Sequence, residues 1–344
     1  MRNNNGKCKD GKTGRKFKIF AISAGVLALG LAGALLLQNA AGRDKNELTK
    51  TAAANEPATV PSQADIGTIY YQGKQYKYNE DLQNILFMGI DRKEALPLQV
   101  NPGNAGQADA IMILTLDKRN KTVSVLQISR DTMTDITVYD ALGTDYTTTY
   151  MQLATQYAFG TGGSNSCWAM KKTVSKLLYD LPVSGYISLG IDGIREMNDL
   201  VGGVTLTMPR DYSYIDPAFT EGQVVTLTGD QAERFVRYRD ITITGSNTER
   251  MERQTQYFAE YLNLMLDKSQ DTWYEEDNLL SELQPYMLTD LSEDELPEIT
   301  GYQYEQRASY IPGEVRSGAE HDEFYVDETA LKDLMINMFY KPVR

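Results

Sequence analysis

From Ile19 to Leu37 the chain is apolar or small, with Ser23 the single polar side chain and no charge. At about 1.5 Å per helical residue, this run matches the roughly 30 Å hydrocarbon core of a bilayer, so the pattern predicts a transmembrane helix over 19–37. Arg2, Lys7, Lys9, Lys12, Arg15, Lys16 and Lys18 precede it against one acid, Asp10. That excess assigns residues 1–18 to a cytoplasmic basic tail and everything after the helix to the outside of the cell membrane. The apolar region of a cleaved signal peptide is shorter, about 7–15 residues, and ends in a small-residue cleavage site. Gln38-Asn39-Ala40-Ala41 offers no such site, so the helix is expected to remain as an anchor. Residues 38–65 carry no apolar period and hold Pro57 and Pro61 among small and polar residues, the composition of a flexible linker.

Beyond the linker, residues 66–344 show patterns of both kinds. Tyr70 to Tyr78, with Gly73 inside, predicts a short hairpin. Apolar runs at 84–90, 110–117 and 122–128 predict buried strands, and Val204–Met208 another. Apolar residues three and four apart predict helices near 165–180, 187–200, 229–237 and 249–267. The alternation predicts an α/β fold, a single sheet flanked by helices in an α/β/α sandwich. The core would span 82–268, with a C-terminal extension over 269–344.

Charge then narrows the function. Seven basic residues against one acid give the first 18 residues +6, so the total of −13 leaves −19 for the rest. An acidic domain argues against nucleic acid as a partner. Cys8 and Cys167 fall on opposite sides of the predicted membrane helix and cannot pair with each other. Cys167 beside Trp168 reads as a small buried hydrophobe. His321 is the only histidine and sits in an acidic stretch that reads as an exposed loop, which disfavours Ser-His-acid, Cys-His and multi-histidine zinc chemistry. Gly202-Gly203 reads as a tight turn, since no Gly-x-x-x-x-Gly-Lys-Ser/Thr pattern is present.

Candidate chemistry gathers where the strands stop. Lys118 to Lys121 joins two strands closely enough for an antiparallel hairpin, and Asp109 and Arg130 are equidistant from its midpoint. They are expected side by side at its open end. Asp91 ends the preceding strand and reaches the same edge if that strand runs parallel to 122–128, so one edge would carry Asp91, Asp109, Arg130 and Asp131. A second group is Arg237, Arg239, Arg250, Arg253 and Gln254. The first two share a face if extended, and the last three do if helical. An arginine fork can hold two phosphate oxygens at once, which suggests an anion site, although Glu249 and Glu252 could equally neutralise a solvated helix face.

These residues fall into motifs. Asn84-Ile-Leu-Phe-Met-Gly-Ile-Asp91, Gln107-Ala-Asp109, Ile128-Ser-Arg130-Asp131-Thr132, Val201-Gly-Gly-Val-Thr-Leu, Leu227-Thr-Gly-Asp-Gln-Ala232 and Arg237-Tyr-Arg239 through Arg250-Met-Glu-Arg253-Gln254 stand in the order found in the LytR-CpsA-Psr family. Over residues 82–268 the chain resembles that family, and Tyr310–Glu314 and Phe324–Glu328 resemble its C-terminal extension. Members, mostly from Gram-positive bacteria, move a glycopolymer from a polyprenyl diphosphate carrier onto peptidoglycan through a phosphodiester. The resemblance implies that Asp91 and Asp109 hold Mg²⁺ on the diphosphate, that Arg130, Arg237, Arg239 and Arg250 grip its oxygens, and that Gln254 helps position it. It also implies a teichoic acid-like or capsular polymer as the cargo.

The chain departs from the family pattern at several positions. Gln107 stands where an arginine is common, so that diphosphate contact is either missing or supplied by Arg92. Ser129 replaces a proline, Asn247 an aspartate and Gln152 a lysine. Two other functions fit the same residues: hydrolysis of the diphosphate, or non-catalytic binding of a lipid-linked glycan in envelope regulation. A carrier with a polyprenyl tail also implies a long apolar tunnel beside the arginines. Its expected lining is the 110–117 strand with Val174, Leu177, Leu178, Ile191, Ile194, Phe258 and Leu262.

Overall fold

The computed structural model describes residues 68–93, 95–96, 98–268, 283–291, 301–305 and 308–343. The basic tail, the apolar run 19–37 and the linker lie outside these residues, as does part of the 269–344 extension. Among the described residues no helix is long and apolar enough to cross a membrane.

The hairpin opening the domain forms as expected, β1 (Thr68–Tyr71) against β2 (Lys74–Tyr78). Its turn residues Gln72 and Gly73 both have positive φ, the geometry that matches the twist of a two-residue hairpin. Strands β3 (Leu82–Ile90), β4 (Ala108–Asp117) and β5 (Thr122–Ile128) are antiparallel in turn, and they carry the three predicted apolar runs. Residues 133–152 add a separate hairpin, β6 (Met133–Tyr139) with β7 (Asp145–Gln152). Helix α1 (Gly163–Leu177) leads to β8 (Gly185–Gly190), which runs parallel beside β3. The helix expected from residue 187 therefore starts later, as α2 (Ile191–Leu200). All six residues of β8 are buried, so its sequence shows no alternation that would separate it from a buried helix.

The strand expected at 204–208 is β9 (Thr205–Thr207), paired with β10 (Val224–Thr226) in a ribbon apart from the main sheet. Helix α3 (Gly229–Arg237) starts at Thr228, whose hydroxyl accepts from Gln231 N while the Gln231 side chain accepts from Thr228 N. Helix α4 (Ser246–Lys268) follows. In the extension, β11 (Met287–Thr289) pairs with β8, and β12 (Gln303–Tyr304) and β13 (Ser309–Tyr310) lie parallel to β5, making the main sheet seven-stranded. A hairpin of β14 (Gly313–Ser317) and β15 (Asp322–Val326) follows, then α5 (Glu328–Phe339), and β16 (Tyr340–Pro342) closes on β2.

The sheet is covered on both faces, as the sandwich reading requires. Phe87, Met112, Leu114, Val125 and Leu189 pack with Met197 of α2, Phe235 of α3 and Phe258 of α4. Leu86, Met88, Ile111, Ile113 and Ile128 pack on the other side with Met170 and Val174 of α1 and Met335 and Phe339 of α5. Successive strand residues therefore feed two cores, which is why the strands read as unbroken apolar runs.

Candidate active site

β3 and β5 end, and β4 begins, at one edge of the sheet, since Ile90 sits opposite Ala108 and Ile111 opposite Ile128. Asp91, Asp109, Arg130 and Asp131 are thus brought together as the hairpin argument predicts. Asp91 is fixed by the loop before β4: its backbone N–H donates to Gln107 O at 3.0 Å, and Gln107 N donates to Asp91 Oδ1 at 2.5 Å. Gly106 makes that loop possible, with φ +94° and no room for a Cβ, which would lie 2.8 Å from Asp91 Oδ1. The protein around Asp91 raises its carboxyl above the usual range by desolvation, and the charge of Asp109 adds to this.

Arg130 joins two of the edge's three aspartates, Asp109 and Asp131. Its Nη1 lies 2.7 Å from Asp109 Oδ1, its Nη2 donates to Gln107 Oε1, and its Nε, buried and without a hydrogen-bond partner, lies 3.7 Å from Asp131 Oδ1. Helix α4 brings Arg250 from above, with Nη1 3.1 Å from Asp109 Oδ2. Arg250 is 4% exposed, and that burial pulls its pKa down while Asp109 opposes the shift. Two of the replaced family positions meet here. Asn247 Oδ1 accepts from Arg250 Nη2 at 2.8 Å and Nε at 3.2 Å, and Asn247 Nδ2 donates to Ser129 Oγ at 3.2 Å. A neutral amide therefore orients Arg250 and leaves Asp109 as its carboxylate partner.

Arg239 completes the cluster from the loop before α4. Its Nη2 is 3.3 Å from Asp322 Oδ2, its Nη1 3.9 Å from Asp131 Oδ2, and its Nε donates to Ser246 Oγ at 3.1 Å. Asp131 is buried and its pKa is raised by desolvation against the pull of Arg130, Arg239 and Arg250. Gln152 Nε2 donates to Asp131 Oδ1 at 3.1 Å and to the Asp322 carbonyl at 2.7 Å.

The remaining predicted residues divide. Arg237 ends α3 beside Asp91 and Asp109, half-exposed and donating to the buried Glu233. Gln254 reaches the same cleft, but its amide bridges Gln127 Nε2 (3.1 Å) and Val236 O (3.1 Å). Arg92 donates to the carbonyls of Ala105 and Asn104, bracing the loop behind Asp91. Arg253 stands apart from the cluster: its donors go to Phe235 O (2.8 Å), Tyr238 O and Glu249 Oε1 (2.8 Å), so it caps the C-terminus of α3. His321 is exposed and Cys167 is fully buried, with its thiol pushed up to about 12 by that burial. Asp322 is the residue that the acidic-loop reading missed. Nothing local marks it, because its partners lie far away along the chain.

An apolar cleft opens beside Asp91, Asp109 and Arg237, walled by Phe87, Met112, Ile191, Ile194, Met197 and Phe258. Ile191, Ile194 and Phe258 belong to the expected lining. Val174 and Leu178 lie in the opposite core with Leu177 packed against it, and Leu262 is part of the solid core beneath the cleft. The cleft meets the arginine cluster at Asp109, and Arg130 and Arg239 are not among its walls.

The molecule is thus an α/β/α domain in which aspartates at one sheet edge pair with arginines from that edge and from α4 and the loop before it, next to an apolar cleft that Asp109 also lines. The chain belongs to the LytR-CpsA-Psr family, whose sequence model matches residues 39–320. It is 25% identical over 260 residues to polyisoprenyl-teichoic acid–peptidoglycan teichoic acid transferase TagU of Bacillus licheniformis, covering 74% of this chain and 76% of that protein. It is 31% identical over 160 residues to TagU of Halalkalibacterium halodurans, 46% of either chain, so it spans about half the length of that relative. The crystal structure of Bacillus subtilis TagU shares the fold with a TM-score of 0.53 and 22% identity, covering 75% of this chain and 96% of that one.

Proposed function

We propose that this domain transfers a glycopolymer, teichoic acid-like or capsular, from a polyprenyl diphosphate carrier to a hydroxyl of peptidoglycan. The observation that carries this is an apolar cleft lined at one end by Asp91, Asp109 and Arg237, with Asp109 also paired to Arg130 and Arg250, so that a charged cluster adjoins an apolar groove. A diphosphate with an isoprenoid tail has that same division. The named activity of the Bacillus relatives supports the reading.

In the reaction the acceptor oxygen forms a bond to the phosphorus that bears the glycopolymer. The bond from that phosphorus to the bridging oxygen breaks, polyprenyl phosphate leaves, and the acceptor proton is released. Charge builds on the non-bridging and leaving oxygens, and preorganised guanidinium groups stabilise it without a protein nucleophile. Arg130 and Arg250 are held in advance by Asp109, and Arg239 by Asp131 and Asp322, so their orientation is fixed before substrate arrives.

Asp91 and Asp109 suit Mg²⁺. Both residues line the cleft, and the raised pKa of Asp91 reflects in part the charge of Asp109, which a divalent cation would offset. Among the described residues no group of three or more His, Cys, Asp or Glu could hold a metal unaided. Two carboxylates completed by phosphate oxygens and water is the usual Mg²⁺ arrangement with phosphate substrates. Bound there, the cation would neutralise diphosphate charge. The N-terminal run 19–37 would hold the domain at the outer face of the membrane, where the carrier is embedded.

The test is product analysis with lipid-linked glycopolymer, with and without peptidoglycan. Glycopolymer should become phosphodiester-linked to peptidoglycan, chelator should stop turnover and Mg²⁺ restore it. Free glycopolymer phosphate as the sole product in the presence of peptidoglycan would overturn transfer in favour of hydrolysis.

A further inference from the structure

We propose that Asp322 is a positioning residue for Arg239, which makes the C-terminal hairpin β14–β15 a working part of the active site. Asp322 lies far beyond the 82–268 core, in a stretch whose neighbours Glu320 and His321 are exposed. Its own side chain is only 10% exposed. An acid in a solvated loop would point to water, whereas Asp322 turns inward and has its Oδ2 and its carbonyl engaged. Its Oδ2 accepts from Gly245 N at 2.8 Å and lies 3.3 Å from Arg239 Nη2, and its carbonyl accepts from Gln152 Nε2 at 2.7 Å.

The hairpin is tied to the site at further points. Phe324 N donates to Asp131 O at 2.8 Å, and Thr132 bridges Phe324 in the same register. Thr244 Oγ1 lies 2.9 Å from Ser317 Oγ, so both strands of the hairpin grip the loop that carries Arg239. That loop needs the grip. Ile241 is 85% exposed and Ile243 56% exposed, so the segment has little apolar anchorage of its own. Asp131 is a weaker hold at 3.9 Å. Asp322 thus sets both the backbone at Gly245 and the direction of the Arg239 guanidinium. A carboxylate here also lowers the local positive charge, so its presence favours geometry over raw anion attraction.

This rests on the reading that the arginines grip a diphosphate, and the test separates the two. In the full-length protein in detergent, inorganic pyrophosphate binding is measured by calorimetry beside turnover of lipid-linked glycopolymer. Asp322→Ala should weaken pyrophosphate binding and slow turnover by roughly tenfold each, the scale for losing one charge-assisted hydrogen bond. Asp322→Asn, which can still accept from Gly245 N and Arg239, should stay close to the parent protein. In an Arg239→Ala background, Asp322→Ala should cost nothing further, because the residues act as a unit. Native pyrophosphate affinity in Asp322→Ala, an Asn variant as impaired as Ala, or additive losses in the double variant would each overturn the proposal. If Asp322→Ala fails to fold, Asp322→Ser carries the same cycle. If even the parent protein shows no turnover, the transfer reading fails while the pyrophosphate cycle still decides this one.

Discussion

Arg130 touches Asp109 and Gln107 and lies near Asp131, yet its buried Nε has no hydrogen-bond partner. Such an atom bears the cost of desolvation without a hydrogen bond to offset it, so the guanidinium is held by its Nη groups. Arg130→Ala should lower kcat by roughly 10²–10³ with the fold intact, the scale for removing one preorganised donor. Unchanged kcat would remove Arg130 from the chemistry. Asp91 supplies a pH-dependent counterpart. Its folded pKa is raised, so ionisation is disfavoured in the fold: the penalty is complete above that pKa and is relieved as pH falls through it. Asp91→Asn should therefore melt slightly higher than the parent at neutral pH, a small effect at a solvent-accessible site, with the gap closing on acidification. A gap that widens in acid would contradict this. The edge cluster was legible because hairpin symmetry pairs Asp109 with Arg130. Arg253 and Asp322 were not, since a helix face does not say which neighbour its arginine caps, and an acidic loop does not say which acid turns inward.

The strands that carry these side chains are held in register by one buried amide. Asn84 sits opposite Thr115 across β3 and β4 and accepts from its hydroxyl at 2.9 Å. Its Nδ2 donates to Pro182 O at 2.9 Å and to Tyr78 Oη at 2.9 Å, joining the first hairpin and the entry to β8. Asn84→Leu would leave the Thr115 hydroxyl buried and without this partner, at about 1–3 kcal/mol, while the exposed Pro182 can turn its carbonyl to water. Urea unfolding should show a loss of roughly 1–3 kcal/mol, and an unchanged stability would mean water replaces the amide. At this scale β3, β4 and β5 were readable from the run lengths and the short connection between the last two. β8 was not. Ile187, Leu189, Ile191 and Ile194 fit a helix as well as a buried strand, and only the pairing with β3 and the break at Gly190 decide between them.

The whole molecule sets a two-faced sheet under the charged edge, with the apolar cleft on one of those faces. Sequence pattern marked the helices as apolar without saying which face each would cover, so the expected tunnel drew residues from both. The cleft lies on the α2–α3–α4 side and encloses a void of about 60 Å³. An engineered cavity that admits benzene is about 150 Å³. On the proposed function, a polyprenyl tail would need α2 and α4 to separate as it enters, and a bulky side chain between them should oppose entry without touching Arg130, Arg239 or Arg250. Ile194 is the position to use, because it lines the cleft from α2 while remaining partly exposed, so enlarging it strains the core least. Each methylene of tail kept from the cleft forgoes about 0.8 kcal/mol. Ile194→Trp should thus weaken binding of a short prenyl diphosphate by tenfold or more, roughly the contribution of two methylenes. Affinity for inorganic pyrophosphate should stay at the parent value, since Arg130, Arg239 and Arg250 keep their partners. Equal losses for the tailed and tailless ligands would show that the cleft does not receive the tail.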